Sequence, residues 1–211
     1  MTDRYIAVKL DIRGSRRTPN RASVQERLFA AMDAVNAAYG EAISAKFVVT
    51  HGDEAQGMLW MECAGTLFRI VETMVGAMRP VRLRFGVGVG TLSTPARPEA
   101  IGMDGEAWHR AQAAIELAAK ERKFIVFRGF GEICDARLGA AANLLLFLSH
   151  RWTNDQRRTI AAVEKAPTQS EAAAILKVSP AAVSKSLRTA GWQFYRDGRE
   201  VLEGMLEALL C

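Results

Sequence analysis

Few features of the sequence point to an extracellular or membrane protein. The three cysteines (Cys63, Cys134 and Cys211) are far apart and odd in number, and their spacing matches neither a disulfide framework nor a zinc site. The longest apolar stretch, around residues 140–148, is too short to span a bilayer. The first apolar run is interrupted by charges, so it does not form a signal peptide. We therefore expect a soluble, cytoplasmic protein.

Charged residues of one sign form no long run in the chain. The sequence has 28 basic and 23 acidic residues, a formal net charge of +5, but no run of five like charges. This balance is compatible with a nucleic-acid partner and is weak evidence for one. Hydrophobic residues make up 49% of the 211 residues, which is enough for an ordinary core in one or two domains.

The hydrophobic pattern changes near residue 135. The predicted strands, all before that point, are 5–11, 46–50, 57–61, 81–91 and 123–127. Helices between them run from Asn20 or Ser23 to Gly40, from Leu67 to Met78, and from Asp104 to Lys120. Later helices are predicted at 137–149, 154–165, 169–176, 180–190 and 194–209. We therefore predict an α+β fold, with a ferredoxin-like βαββαβ domain at 1–135 followed by an all-α domain at 136–211.

The segment Gln169–Arg188 has the pattern of a helix-turn-helix. Two short helices that cross near 100° need small or apolar residues at fixed places, and five positions fit: Ala173, Leu176, Val178, Val183 and Leu187. Ser179 and Pro180 are favoured at a helix start. Lys177 departs from the pattern, because glycine is common in this turn, where φ is often positive.

The outward positions of this segment predict contacts with duplex DNA. They are small or can donate hydrogen bonds to bases and phosphates. The candidate DNA-binding residues are Thr168, Gln169, Ser179, Ala181, Ala182, Ser184, Lys185 and Arg188. A homodimer is expected, because helix-turn-helix proteins usually bind two half-sites. A plain α-hairpin, or one that binds protein, remains an alternative.

The N-terminal domain brings two aspartates to one end of its predicted sheet. Alternation places Lys9, Asp11, Arg82, Arg84, Gly86 and Gly88 on the sheet face away from the helices, which we expect to be open or to meet a partner. Asp53 lies in a hairpin next to the first strand. Two carboxylates can share Mg²⁺, arginines can bind phosphate, and glycines let a flat base approach the sheet. The alternatives are an ion pair of Asp11 with Arg13 or Arg16, and a tight turn at Gly52-Asp53.

Four motifs carry a family resemblance: VKLDIRGSR, THGDEAQG, RFGVGVG and IGMDGEAWHRA. In this order and spacing they resemble the SatD family over nearly the whole chain. More distantly, LDI, GDE and the glycine-rich strand are similar to the palm domain of class III nucleotide cyclases and GGDEF enzymes. The cyclase resemblance implies that Asp11 and Asp53 bind metal. When the chain is aligned with cyclases from Gly105, the Asn and Arg with which cyclases hold the transition-state phosphates correspond to His109 and Ala113. The Lys with which cyclases recognise adenine has no match, because Lys46 lies one residue too early.

These observations predict a DNA-binding transcription regulator with a nucleotide-sensing, catalytically degenerate palm-like domain. The candidate nucleotide-binding or phosphate-binding residues are Arg13, Arg82, Arg84, Gly86, Gly88 and His109, and the expected ligand is a purine nucleotide with Mg²⁺. The missing Arg counts against turnover, because stabilisation of developing charge is usually the largest catalytic term. The alternatives are a nucleotide cyclase or nucleotidyltransferase with a helix-turn-helix module, and an adaptor whose helix-turn-helix binds protein.

Overall fold

The computed structural model describes residues 3–14 and 20–208, which form a five-stranded sheet and eight α-helices. The strands are β1 (Tyr5–Ile12), β2 (Ile43–His51), β3 (Glu54–Trp60), β4 (Leu83–Gly90) and β5 (Ile125–Arg128). The helices are α1 (Arg21–Ala38), α2 (Leu67–Met78), α3 (Glu106–Lys120), α4 (Glu132–Arg151), α5 (Asn154–Lys165), α6 (Gln169–Leu176), α7 (Pro180–Ala190) and α8 (Trp192–Ala208). The α+β class and the order βαββαβαβ before α4 agree with the prediction. None of the described helices is both long and apolar enough to cross a membrane.

Strand β1 lies at the centre of the sheet, whose order is β2-β3-β1-β4-β5. It is antiparallel to both β3 and β4, and β5 is parallel to β4. This register places Asp11 opposite Glu54 on one side and opposite Arg84 on the other. The central position suits the sequence of β1, because most of its residues are buried on both faces.

One face of the sheet is apolar and fully covered. Ile6, Val8 and Leu10 are at most 1% exposed, and α1 and α2 contact each other and contribute further buried apolar side chains. The start of α1 is fixed by Asn20, whose side chain accepts a hydrogen bond from Ser23 N. The end of α1 is tied to β2, because Asn36 exchanges two hydrogen bonds with the Phe47 backbone.

Helix α3 covers the opposite face and lies directly on the glycines of β4. A β-carbon at Gly88 would lie within 3.0 Å of backbone atoms of Ala111 and Ala107, and one at Gly86 would meet Ala111 and Ile115 equally closely. The expectation that this face is open is therefore wrong. The alternating glycines let the helix backbone approach the strand instead of a ligand.

Both edges of the sheet are closed by other parts of the chain. At β5, Asn143 of α4 accepts hydrogen bonds from the backbone N–H groups of Phe124 and Ile125 and donates one to Ile125 O. At β2, the pairing with β3 is interrupted by bulges, and Lys46 forms a bridge with Glu99 of the loop before α3. Closed edges of this kind prevent a sheet from pairing with another chain.

The chain divides into two compact units. One contains the residues up to Asn143 together with those from Leu202 onward, and the other contains Leu144–Val201. The second unit is helical: α5, α6 and α7 pack on one another, and Trp152 donates a hydrogen bond to Ala190 O. The predicted assignment of separate functions to residues 1–135 and 136–211 stays a proposal.

Candidate functional site

The first candidate site lies where β1 ends. The Asp11 carboxylate accepts a hydrogen bond from Arg84 at 3.0 Å through Oδ2, whereas its buried Oδ1 has no hydrogen-bond partner among the described residues. The Arg84 Nε is also buried and unpaired within the described part of the chain. The ion pair of Asp11 is therefore made with Arg84 of the neighbouring strand, whereas the sequence suggested Arg13 or Arg16 as the partner. Arg16 lies outside the described residues. The pair with Arg84 leaves one buried acceptor and one buried donor without a partner among the described residues.

Burial raises the pKa of Asp11 above its ordinary value of 3.8. The Arg84 guanidinium opposes this shift, and the nearby carboxylates of Glu54 and Asp53 add to it. The folded protein therefore holds the Asp11 proton more tightly than the unfolded chain does. A cation placed beside Oδ1 would lower the pKa again, because it would stabilise the charged form.

This raised pKa predicts a defined pH dependence of stability. Between pH 3.8 and the folded pKa, the native state binds more protons than the unfolded state, so the contribution of Asp11 to stability falls as the pH rises. Asp11→Asn removes the titrating group. We expect the stability of the parent relative to Asp11→Asn to decline over that pH window and to be constant above it, in paired thermal unfolding curves. A constant difference at all pH values would show that Asp11 titrates normally.

Arg13 lies near Asp11 and near three further arginines, Arg82, Arg84 and Arg122. Arg13 N donates to Arg82 O at 2.9 Å, and the Arg13 guanidinium lies over the Phe124 ring, 5.4 Å from its centroid. Burial lowers the pKa of Arg13, and the positive charges of Arg84, Arg82 and Arg122 lower it further. Several neighbouring guanidinium groups that repel one another favour a bound anion.

Two members of this environment were not predicted. Arg122 adopts a positive φ of 58° just before β5, and Phe124 supplies the ring under Arg13. The sequence signal was the three basic residues Lys120, Arg122 and Lys123, next to a predicted strand whose place in the sheet was not assigned. Only the parallel pairing of β5 with β4 brings this segment to Arg13.

Asp53 lies beside Asp11, as the hairpin predicted. Gly52 has a φ of 26° in the turn between β2 and β3, and Ile12 N donates to Asp53 O at 3.1 Å. No group of three or more acidic, histidine or cysteine residues in the described ranges could hold a metal by itself. Mg²⁺ accepts one or two carboxylates when phosphate and water complete its octahedral shell. The unpaired Asp11 Oδ1 fits such a shared role.

His109 does not join this cluster. It lies on the exposed start of α3, where its Nε2 is 2.8 Å from Asp104. His109 and Ala113 line a groove between α3, β5 and α4, whereas the hollow beside Asp11 is lined by Gln112 of α3. The structure therefore brings Asp11, Asp53 and the arginines together and leaves His109 apart. Gly86 and Gly88 lie beneath α3, where they are not a surface for a base.

The second candidate site is the surface of α6 and α7. Ala173, Val183 and Leu187 are buried between the helices, Leu176 is half-buried, and Val178 is 47% exposed. Lys177 has φ 56° and ψ 44°, so the turn takes the left-handed conformation without glycine. Ser179 caps α7, because its side chain accepts from Ala182 N at 3.2 Å. The two helices thus form a tight hairpin with most of its predicted packing positions inside.

The outward side of this hairpin is polar and accessible. Thr168 caps α6 by accepting from Glu171 N at 3.2 Å, and Gln169 begins that helix. The exposed residues on α7 include Ala181, Ala182, Ser184, Lys185 and Arg188. The side chains of Lys185 and Arg188 form no hydrogen bond or ion pair with any described residue. Residues 144–201 contain nine arginines and lysines and five acidic residues, so this unit carries most of the net positive charge.

The family profile that matches this chain covers residues 5–206, and its description is "SatD family". The chain belongs to the SatD family. The match includes both candidate sites. The motif-based resemblance is therefore confirmed for nearly the whole sequence. Comparison of this SatD chain with curated proteins gives no significant match.

Solved structures similar to this SatD chain include nucleotide cyclases. A bacterial light-regulated adenylyl cyclase is 15% identical and matches over 60% of this chain and 76% of its own, with a TM-score of 0.47. The adenylyl cyclase CyaB from P. aeruginosa is 15% identical and matches over 53% of this chain and 70% of its own, with a TM-score of 0.41. A regulator of polyketide synthase expression from Bifidobacterium adolescentis is 15% identical over 99% of this chain and 80% of its own, with a TM-score of 0.32.

Proposed function

We propose that this protein is a regulator that binds duplex DNA through α6 and α7. The observation that carries the proposal is the α6–α7 hairpin, in which the apolar residues of α7 face inward while Lys185 and Arg188 are exposed and unpaired among the described residues. An α-helix fits the major groove of B-DNA, and small residues such as Ala181 and Ala182 let its backbone come close to the bases.

Phosphate contacts would hold this helix in register. The N-terminus of α6, capped by Thr168 and followed by Gln169, presents backbone N–H groups of the kind that often meet a phosphate. The excess positive charge of residues 144–201 favours the same partner. We also propose a homodimer, so that two copies of α7 read half-sites one helical turn apart, about 34 Å.

The direct test is titration of the full-length protein into fluorescent random-sequence duplexes at several salt concentrations. We expect binding whose logarithm falls linearly with the logarithm of salt, because each lysine or arginine contact with a phosphate releases counterions. Selection from the same pool would then identify the preferred site. A protein that binds no duplex even at low salt would contradict the proposal and favour the alternative in which the hairpin binds protein.

A second function is supported by the cluster at the end of β1. We propose that Asp11, Asp53, Arg13, Arg82 and Arg84 bind the phosphates of a purine nucleotide together with Mg²⁺. The supporting observation is the combination of an unpaired Asp11 Oδ1 with several arginines around it. The metal would neutralise the carboxylates and the phosphates, while the guanidinium groups hold the remaining phosphate oxygens.

A thermal-shift experiment tests nucleotide binding. ATP or GTP with Mg²⁺ is expected to raise the melting temperature by mass action, equivalent to about 2.7 kcal/mol at one hundred times Kd. Asp11→Asn and Asp53→Asn should abolish the shift, because each removes a metal-binding carboxylate. Asp33→Asn, on the exposed side of α1, is the matched control and should keep it. A shift that survives in both site variants would place the ligand elsewhere.

The same samples distinguish sensing from catalysis. Turnover requires donors aimed at charge that develops in the transition state. Arg110, the arginine nearest to the Ala113 position, is held by Glu106 at 2.6 Å and by Val89 O. We therefore expect the nucleotide to stay chemically unchanged over hours. Cyclic nucleotide or pyrophosphate detected by chromatography, and lost in Asp53→Asn, would make the protein a cyclase or nucleotidyltransferase instead.

A further inference from the structure

The first turn of α8 adds a third wall to the α6–α7 surface. A cleft of about 380 Å³ lies between the three helices within the second unit. It is lined by Gln169 of α6, Ser184 and Arg188 of α7, and Gln193, Phe194 and Arg196 of α8. The cleft is therefore continuous with residues already proposed to bind DNA, and α8 contributes polar groups that the sequence pattern did not include.

The chemistry of the cleft suits a sugar-phosphate strand. Gln169, Arg188 and Arg196 supply amide and guanidinium donors from three different helices. Phe194 is 77% exposed at its edge, an unusual position for a large aromatic residue. The amide and guanidinium groups can donate hydrogen bonds to phosphate oxygens, and the adjacent apolar ring can contact deoxyribose carbons. This arrangement matches the DNA backbone, in which phosphates and sugars alternate.

Arg196 forms an ion pair with the next residue, Asp197. Its guanidinium lies 3.1 Å from Asp197, and both side chains are about half exposed. An exposed ion pair of this kind is weak, so a phosphate can replace the carboxylate. Arg196 lines the cleft, whereas Asp197 does not. Movement of the arginine towards the cleft therefore needs no change in the helix backbone.

We propose that the first turn of α8 binds the phosphate backbone of the DNA strand beside the groove that α7 enters, with Arg196 as the phosphate contact. This inference rests on the proposed DNA binding by α6 and α7. It assigns a function to a helix outside the helix-turn-helix. It also gives Asp197 a role, because this carboxylate competes with DNA for Arg196 and repels the phosphates.

Two substitutions test the proposal in opposite directions. Arg196→Ala should weaken duplex binding several-fold for all sequences and lower the slope of log K against log salt by about one unit, the effect of one lost phosphate contact. Asp197→Asn should strengthen binding several-fold, because it frees Arg196 and removes a negative charge. A gain of affinity cannot come from misfolding. Lys120→Ala, an exposed lysine of the first unit, is the control for loss of one positive charge.

The outcomes distinguish failure of DNA binding as a whole from failure of the role proposed for α8. If the parent protein binds no duplex, the proposed function itself fails. If the parent binds but Arg196→Ala keeps its salt slope and Asp197→Asn binds no more tightly, DNA binding stands and the role of α8 is refuted. If Lys120→Ala lowers the slope as much as Arg196→Ala does, the effect is one of overall charge and the specific contact is also refuted.

Discussion

Alanine at both Lys185 and Arg188 is expected to abolish tight binding of duplex DNA. Each side chain is exposed and has no partner among the described residues, so its removal leaves the packing of α7 unchanged. A lysine or arginine that contacts a base contributes about 1–3 kcal/mol, so additive losses in the double variant would lower the affinity by about thirtyfold to more than ten-thousandfold. The two positions lie on the same side of one helix, so their effects need not be additive.

The control must remove the same charge from another place. Arg97→Ala combined with Lys120→Ala takes two exposed basic residues from the first unit and leaves α7 intact. This variant should bind almost as tightly as the parent at moderate salt, because overall charge mainly affects encounter. If the parent and the variant with alanine at both Lys185 and Arg188 bind equally well in a gel-shift series, α7 is not the helix that contacts the DNA bases.

Gly88→Ala is expected to destabilise the first unit by about 3 kcal/mol, the upper end of the usual cost of overpacking. The new methyl group would meet the Ala111 nitrogen and the Ala107 oxygen, which are backbone atoms and cannot rotate away. Helix α3 would have to move off β4, which would open the buried cluster that contains Ala7 and Trp108. Urea unfolding of the purified protein measures the loss.

The same substitution at Gly76 provides the comparison. Gly76 lies in the last turn of α2, and apart from its chain neighbours and the backbone of its own helix no described atom lies within 4 Å of the position that a β-carbon would take there. Gly76→Ala should therefore stabilise the protein slightly, by about 0.5–1 kcal/mol, because alanine is a better helix former than glycine. If Gly88→Ala were as stable as Gly76→Ala and only lost nucleotide binding, the glycines would be a ligand surface after all.

These glycines also show where sequence reasoning stopped. Alternation along β1 and β4 correctly separated the two faces of the sheet, because side chains in a strand point to opposite sides. It did not say what covers each face. A bound base and a closely packed helix backbone would each require glycines at positions 86, 88 and 90. The glycine pattern alone therefore could not distinguish a ligand from a helix.

The usual handedness of strand connections would also have predicted the wrong face of the sheet for α3. Strands β3, β4 and β5 are mutually parallel, and the connections through α2 and α3 step in the same direction across the sheet. Right-handed connections, which are the rule, would therefore put α2 and α3 on the same face. The structure places α3 on the other face. Only the three-dimensional packing of the glycine strand could reveal this.

The helical part was more predictable, because its signals are local. Caps at Thr168 and Ser179 and the small residue Ala173 each act within a few residues, and the bounds predicted for α5, α6 and α7 are those observed. The arginine cluster was less accessible. Arg122 meets Arg13 across more than one hundred residues of chain, through a strand pairing that periodicity does not specify.

The hydrogen bonds of Asn143 have a consequence for assembly. Because this one side chain occupies the outer N–H and C=O groups of Ile125 at the start of β5, and bulges and a loop interrupt β2, both borders of the sheet are poor templates for a strand from a second molecule. A symmetric pair of these chains is therefore expected to associate through helical surfaces. Asn143 therefore protects one edge of the sheet from edge-to-edge association, and Asn143→Ala is expected to expose that edge.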